Sequence, residues 1–511
     1  MKRYYGKGAI TVFLSLIGVL FLSLLCTAAE SARIQGCRAK AAAALDMGMF
    51  SVMGEFEREL LDHYDVFLLD GAAGTESYSL DKVSEVLREY MEYNVDPNKG
   101  MWLKGFDPFT LKMDTANITG VSLATDGKGA AFYQQAVGFM RENLGTELAS
   151  ALIERMQEGK QLEEAGELYE KRNNSITKEL AQLEEQQKKQ EQEEREKAEQ
   201  NGQTENQAAE EAPKVPESKN PLSVIKKLKK KGILALVLDD GVEISEKELP
   251  SGSPSGRNCQ KGNLPVEKTY GGLIDDLIFQ QYLFEHFSLF TDKEKEGVLD
   301  YGLEYVLCGK KSDLKNLKGV VNRLLLMREG ANFLYLAADS TKMQAANALA
   351  ALLVGAIPLP GLVTVTAYAL LLAWAYGESL LDVRELLAGG RIPVKKTEST
   401  WRLQLSSLAD LPALLKSADG SSKQGLSYAQ YLQMLFAVSG KGNYAMRALD
   451  LIEGYMRARP ATAAFRADHA ISKIKAEAGY TIPPLFLRVS AAFLKTGKIT
   501  QNYQAQGVFG Y

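Results

Sequence analysis

Histidine is scarce in this 511-residue chain, with His63, His286 and His469 its three copies. A zinc-type site needs a second histidine or a cysteine a few residues away, and none of the three has one at such a spacing. Nucleophilic chemistry of the Gly-x-Ser-x-Gly type is not encoded either, because the nearest match, "GSPSG" at Gly252–Gly256, has Pro254 where the serine belongs. "CGKKS" at Cys308–Ser312 has the tail of a phosphate loop, but the glycine required upstream is replaced by Glu304. The pairs Asp239–Asp240 and Asp275–Asp276 have the residue type for acid–base work, although adjacent carboxylates more commonly cap helices or sit on surfaces. Glu378, Asp382 and Arg384 fall at helical spacing near the end of an apolar segment, which reads as an ion-paired helix end, with a polar site as the alternative. No catalytic, cofactor-binding or metal-ligating residue is nominated, and the chain reads as non-enzymatic.

The most informative element precedes all of these residues. Gly8–Ala29 is a 22-residue run without charge, about 33 Å of helix and enough to cross a hydrocarbon core of about 30 Å. Lys2, Arg3 and Lys7 precede it, and cationic flanks stay in the cytoplasm. The reading is a retained single-pass anchor that meets the lipid bilayer through residues 9–29, with the amino terminus cytoplasmic and the rest extracellular. A cleaved secretory leader ending near Ala29 is the alternative. From Ile34 the residues Cys37, Ala41, Leu45, Met49, Val52, Phe56 and Leu60 follow at three- or four-residue spacing, one face of an amphipathic helix. The pattern predicts one continuous helix from about Ala9 to Leu61, or two helices with a kink between Glu30 and Gly36.

Beyond it, Tyr64–Asp70 reads as a buried strand and Leu80–Val95 as a short amphipathic helix. A half-buried strand follows, with Leu111, Met113, Thr115, Val121 and Leu123 on one parity. "DGKGA" is a turn into a helix from Ala130. The segment from Ala151 has heptad-like apolar spacing that suits a coiled coil or a hairpin arm, and about 184–220 is too polar to bury a core, so it reads as solvated helix passing into a disordered linker. Pro221–Gly232 reads as a basic helix, Ile233–Leu238 as a strand, and Leu273–Gly390 as almost wholly helical. The charge-free run Ala345–Gly377 is split by Pro358, Pro360 and Gly361 into pieces shorter than the roughly 20 residues a span needs, so it reads as a buried helical hairpin. Two carboxyl-terminal strands are expected, with Ile474, Ala476, Ala478 and Tyr480 on one face of the first and Tyr503, Ala505, Gly507, Phe509 and Tyr511 on one face of the second, pairing with each other or with the strands near Tyr64 and Leu111.

The opening phrase "KGAITVFLSLI" resembles the start of the TadE/TadG-like pseudopilins of tight-adherence pilus loci. "ESARIQGCRAKA", "ELLDHYDVFLLD", "YLFEHFSLF", "LDYGLEYVLCGK", "LAWAYGESLLDVRELLAGG" and "GLSYAQYLQML" are similar to an uncharacterised family of long membrane-anchored proteins of Gram-positive anaerobes, related to those pseudopilins. The chain departs from the pilin pattern at one place: if Gly8 is the leader glycine, the glutamate position five residues later holds Phe13. The resemblance implies protein partners in a pilus or secretion apparatus.

Composition agrees with an exported, anchored protein. The apolar fraction of 46% supplies real cores, and a net charge of −4 argues against nucleic acid as a partner. No small-molecule substrate or cofactor is evident. Four cysteines in so long a chain make no disulfide framework, although Cys259 and Cys308 are a possible pair. The expected fold is α+β and predominantly helical. Its parts are an anchor with its cytoplasmic flank (1–30), a pilin-like helix-and-strand unit (31–150), a charged helix and linker (151–220), and a helix-rich unit with terminal strands (221–511). The expected role is a structural or assembly component of a Tad-type pilus or secretion apparatus. An envelope-anchored binding protein unconnected with pili and a cell-wall hydrolase are the alternatives.

Overall fold

The computed structural model describes residues 7–75, 77–96, 107–143, 146–200, 220–354, 359, 361–417, 420–440, 442–487 and 500–511. The fold is α+β and predominantly helical, with one small antiparallel sheet. Two compact units divide the chain. The first comprises residues 1–139, 252–270 and 452–511, and the second 140–251 and 271–451. The division drawn from sequence places all of 221–511 in one unit; the difference arises because the last strands complete the sheet of the first.

In the first unit, helix α1 (Lys7–Met53) is unbroken for 47 residues, about 70 Å, with no kink between Glu30 and Gly36. It stops at Met53 rather than continuing to Leu61. The chain turns at Gly54 and Glu55, and α2 (Arg58–Tyr64) restarts the helix. The apolar spacing runs across the break because Leu60 of α2 is buried in its turn, while Phe56 at the break is half-buried, edge-on to Phe67. The expected strand Tyr64–Asp70 shrinks to β1 (Leu69–Asp70), since Tyr64 ends α2 and Asp65 closes it in a left-handed conformation. Helix α3 (Leu80–Val95) buries Val83, Leu87 and Met91 as its spacing predicts.

Strand β2 (Lys112–Leu123) pairs with β3 (Ala470–Ile482), which pairs on its other edge with β4 (Gln501–Gly510) and, at Ala470 and Ile471, with β1. Irregular register at Met113/Thr115 and again at Ile118/Gly120 switches the inward parity of β2 twice. Ala116 and Ile118 are therefore buried while Thr115 is exposed, and Val121 and Leu123 return to the core. A bulge adds one residue and so exchanges faces. Helix α1 and α3 cover the sheet, and Cys37, Ala41, Leu45, Met49 and Val52 pack with Ile474, Ala476, Ala478 and Tyr480. Helix α4 (Asp126–Asn143) begins after a left-handed turn at Gly127–Gly129.

The second unit is built on α5 (Thr146–Gln200). Its residues Leu152, Met156, Leu162, Ala165, Tyr169 and Ile176 are buried, so the amino-terminal part is a core helix rather than a free coiled coil. The shorter helices are α6 (Pro221–Leu228), α7 (Ile233–Val237), α8 (Leu273–His286) and α9 (Gly302–Cys308). Then come α10 (Asp313–Ala338), α11 (Ser340–Val354), α12 (Leu362–Leu387), α13 (Leu411–Leu414), α14 (Tyr428–Val438) and α15 (Tyr444–Arg457), whose residues from Ile452 on belong to the first unit. The segment Ile233–Leu238 is thus helical at α7, not a strand; a short apolar run carries no period that separates the two. Helices α5 and α12 pack on α10, and α11 on α12. The crossing of α5 with α10 is close enough that a Cβ on Gly330 would strike the backbone of Ala165 and Gly166. Of the buried hairpin expected over Ala345–Gly377, helix α12 is apolar around most of its circumference and buried inside this unit, whereas α11 buries only Ala346 and Ala350 and leaves Leu352 exposed. Of the solvated helix and linker expected at about 184–220, residues 184–200 continue α5 and 201–219 lie outside the described residues, as do Pro358, Pro360, Lys2 and Arg3.

Candidate functional site: the anchor root and a buried ionic cluster

Among the described residues one helix, α1, is long and apolar enough to cross a membrane, and none of its most apolar window is buried. From Ile10 to Leu25 the large apolar side chains are 48–67% exposed on every side of the helix. The change comes at the first charge after the run. Glu30 is 2% exposed and Arg33, one turn on, 4%. Arg33 donates to Glu30 Oε1 through Nη2 at 2.6 Å and Nε at 3.1 Å, and to the carbonyls of Pro483 (2.5 Å) and Pro108 (3.4 Å). Glu30 Oε2 accepts the backbone N–H groups of Phe486 at 2.7 Å and Leu485 at 3.1 Å. Burial alone raises the Glu30 carboxyl, but the hydrogen bonds from Arg33, Phe486 and Leu485 outweigh it and hold it below its ordinary value. Gly36 lets the Phe109 ring lie against the helix where a Cβ would collide. Burial also pushes the Cys37 thiol up. This root ties the helix to the segment before β2 and to the segment after β3. Sequence reading passed over Glu30 and Arg33; the available signal was their place as the first charges beyond the apolar run.

The sequence-selected residues of α12 separate. Glu378 and Asp382 are fully buried together, whereas Arg384, also buried in the second unit, pairs separately with the Leu238 carbonyl (2.8 Å) and Asp239. Lys396 bridges Glu378 Oε1 (2.5 Å) and Asp382 Oδ1 (2.7 Å). Arg328 holds Asp382 Oδ2 at 2.9 Å and donates to the Pro393 and Val394 carbonyls. Arg402 reaches Glu385 Oε2 at 3.0 Å and Asp382 Oδ1 at 3.3 Å. The three carboxylates Glu378, Asp382 and Glu385 match the three cations Arg328, Lys396 and Arg402. Burial disfavours the Asp382 anion, yet Lys396, Arg328 and Arg402 hold its carboxyl well below the usual range. Each charge of the cluster has an opposite partner within it. The cluster matches the ion-paired reading of this helix end. In the same unit Glu304 is wholly buried, accepts the Phe290 N–H (2.9 Å) and the Tyr428 hydroxyl (2.7 Å), and is pushed up to about 7 by burial.

The remaining sequence candidates do not converge. His63 lies edge-on to Tyr455, His286 beside Tyr282, and His469 beside Tyr78. Among the described residues no group of three His, Cys, Asp or Glu side chains is placed to hold a metal ion. In "CGKKS", Gly309 is the left-handed cap that ends α9 and Ser312 precedes α10, so the segment connects two helices. Asp275 pairs with Arg141 and accepts the Gly271 N–H (2.8 Å). The lysines of the basic segment, at 226, 227, 229, 230 and 231, are exposed, and the Lys229 ammonium lies over the Tyr376 ring, 4.8 Å from its centroid. No disulfide joins Cys259 to Cys308.

Residues 210–482 match the model of a family described as Family of unknown function (DUF5702), more than half of the chain. The chain belongs to this family. The DUF5702 match contains the ionic cluster, Glu304 and β3 and leaves out the anchor and its root; its description assigns no function and makes no link to TadE/TadG-like pseudopilins. No curated protein and no solved structure is detectably similar.

Proposed function

We propose that this is a non-enzymatic single-pass membrane protein. Its amino terminus is cytoplasmic and its α+β ectodomain extracellular, working by binding the proteins of a Tad-type pilus or secretion apparatus. The observation that carries this reading is the division of α1 into a fully exposed apolar half and a half packed on a four-stranded sheet. A membrane helix that continues as the spine of its own external unit is the layout of pilin-like proteins. The positive flank Lys2, Arg3 and Lys7 supports the orientation. The mutual engagement of charges around Asp382 supports a structural use of the second unit's polar core.

Protease treatment of intact cells tests the topology, and cross-linking in isolated membranes tests the partners. The reading expects the ectodomain to be shaved from outside and the full-length chain to cross-link to pilus or secretion-platform subunits. Protection in intact cells contradicts the topology, and cross-links confined to unrelated envelope proteins contradict the pilus role. A secretion ATPase gene and small pilin genes beside this one would favour the same role.

A further inference from the structure

The end of the sheet nearest the apolar run carries a segment that the anchor does not account for. Strand β3 ends at Ile482, and residues 483–487 read Pro-Pro-Leu-Phe-Leu, without a polar or charged side chain. Phe486 is 42% exposed. The backbone of this segment is unusual in the same direction as its side chains. Pro483 and Pro484 have no N–H to satisfy. The N–H groups of Leu485 and Phe486 are both taken by Glu30, and the Pro483 carbonyl is taken by Arg33. Four consecutive residues therefore present no N–H that requires water, which meets the donor half of what a backbone must satisfy to approach hydrocarbon.

Its height is set by the same bonds. Glu30 is one residue, about 1.5 Å of rise, beyond the last residue of the charge-free run. The interfacial layer outside each face of the hydrocarbon core is about 5–7 Å thick. A chain hydrogen-bonded to the Glu30 carboxylate lies within that layer whenever residues 9–29 span the core.

We infer that residues 483–487 form a second membrane contact, a foot seated in the headgroup layer of the outer leaflet with the Phe486 ring directed toward the acyl chains. The contact would fix the tilt and rotation of the first unit above the bilayer, which a single helix leaves free. This inference rests on the anchor reading, and its test separates the two. p-Benzoylphenylalanine replaces Leu20, Phe486 or Phe50 in the full-length chain, each variant is reconstituted in phosphatidylglycerol/phosphatidylcholine nanodiscs, and lipid adducts are read by intact-mass spectrometry after irradiation. Phe50 is 66% exposed but lies 21 residues beyond Ala29, about 31 Å up the helix. The expected result is adducts at 20 and 486 and their loss at 50. Adducts at 20 alone overturn the foot and leave the anchor standing. No adduct at 20 overturns the anchor and the foot with it. Equal adducts at all three positions overturn the foot, since lipid contact would then not be confined to the sheet's end.

Discussion

Between Gly8 and Ala29 the side chains of α1 are exposed around the whole helix, and between Glu30 and Met53 one stripe of them is buried against the sheet and α3. The backbone is the same in both halves, because a helix satisfies its own hydrogen bonds whatever surrounds it. What differs is the arrangement of apolar side chains. An apolar surface on every side suits lipid, and a stripe suits a protein core. The change of surroundings is marked by a buried ion pair that also bonds backbone groups just before β2 and just after β3, at the end of the sheet nearest the apolar run. Helical periodicity alone would not have found that boundary.

The sharpest way to break the comparison is at the root. Glu30→Ala leaves Arg33 buried without its carboxylate and two N–H groups without an acceptor, and should cost about 3–5 kcal/mol. Thermal melts of the full-length chain in detergent micelles would show it. A loss no greater than that of an exposed substitution would mean that the root does not hold the helix.

The next effect compares the two halves directly. Leu45→Ala removes a fully buried side chain from the packed half and should cost about 2–5 kcal/mol. Leu20→Ala, in the exposed half, should leave the melt within about 0.5 kcal/mol, as should Met47→Ala on the outer side of the packed half. Equal losses at Leu20 and Leu45 would place the first half inside a protein core.

A smaller effect is pH-dependent. The folded state holds Glu30 below its ordinary value of 4.5. The stabilisation is therefore present above that value and lost as the pH falls through the folded pKa. Glu30→Gln should flatten the acid limb of the melting curve below about pH 4.5, and an unchanged limb would remove Glu30 from the account.

Much of this architecture was legible in the sequence where a period was long and uninterrupted. The stripe from Cys37 to Val52, the face of α3 and the alternation of β3 fall where spacing puts them. Legibility failed where a local event reset the period. The parity of β2 at Thr115 was lost to a bulge, and the end of α1 was hidden because Leu60 resumes the stripe after the break. Ile233–Leu238 was too short to declare itself. Spacing also cannot name a partner. The heptad-like residues of α5 were visible, but not that α5 would cross α10 at Gly330; pairing of the terminal strands with those near Tyr64 and Leu111 was one open option, which spacing could not select. Among polar residues, Glu378 and Asp382 stood out by their setting in an apolar helix, whereas Lys396, Arg402 and Arg328 lie too far away in sequence to be joined to them.

The central claim is that residues 9–29 remain attached as a membrane anchor. Amino-terminal sequencing of the membrane-extracted protein tests it most directly. The account predicts a chain that begins at or before Ala9, with a start at Ala9 marking pilin-type processing after Gly8. A mature chain beginning at Ala29 or Glu30 would contradict it, because the apolar half of α1 would then be a leader removed from a protein that carries only the packed half.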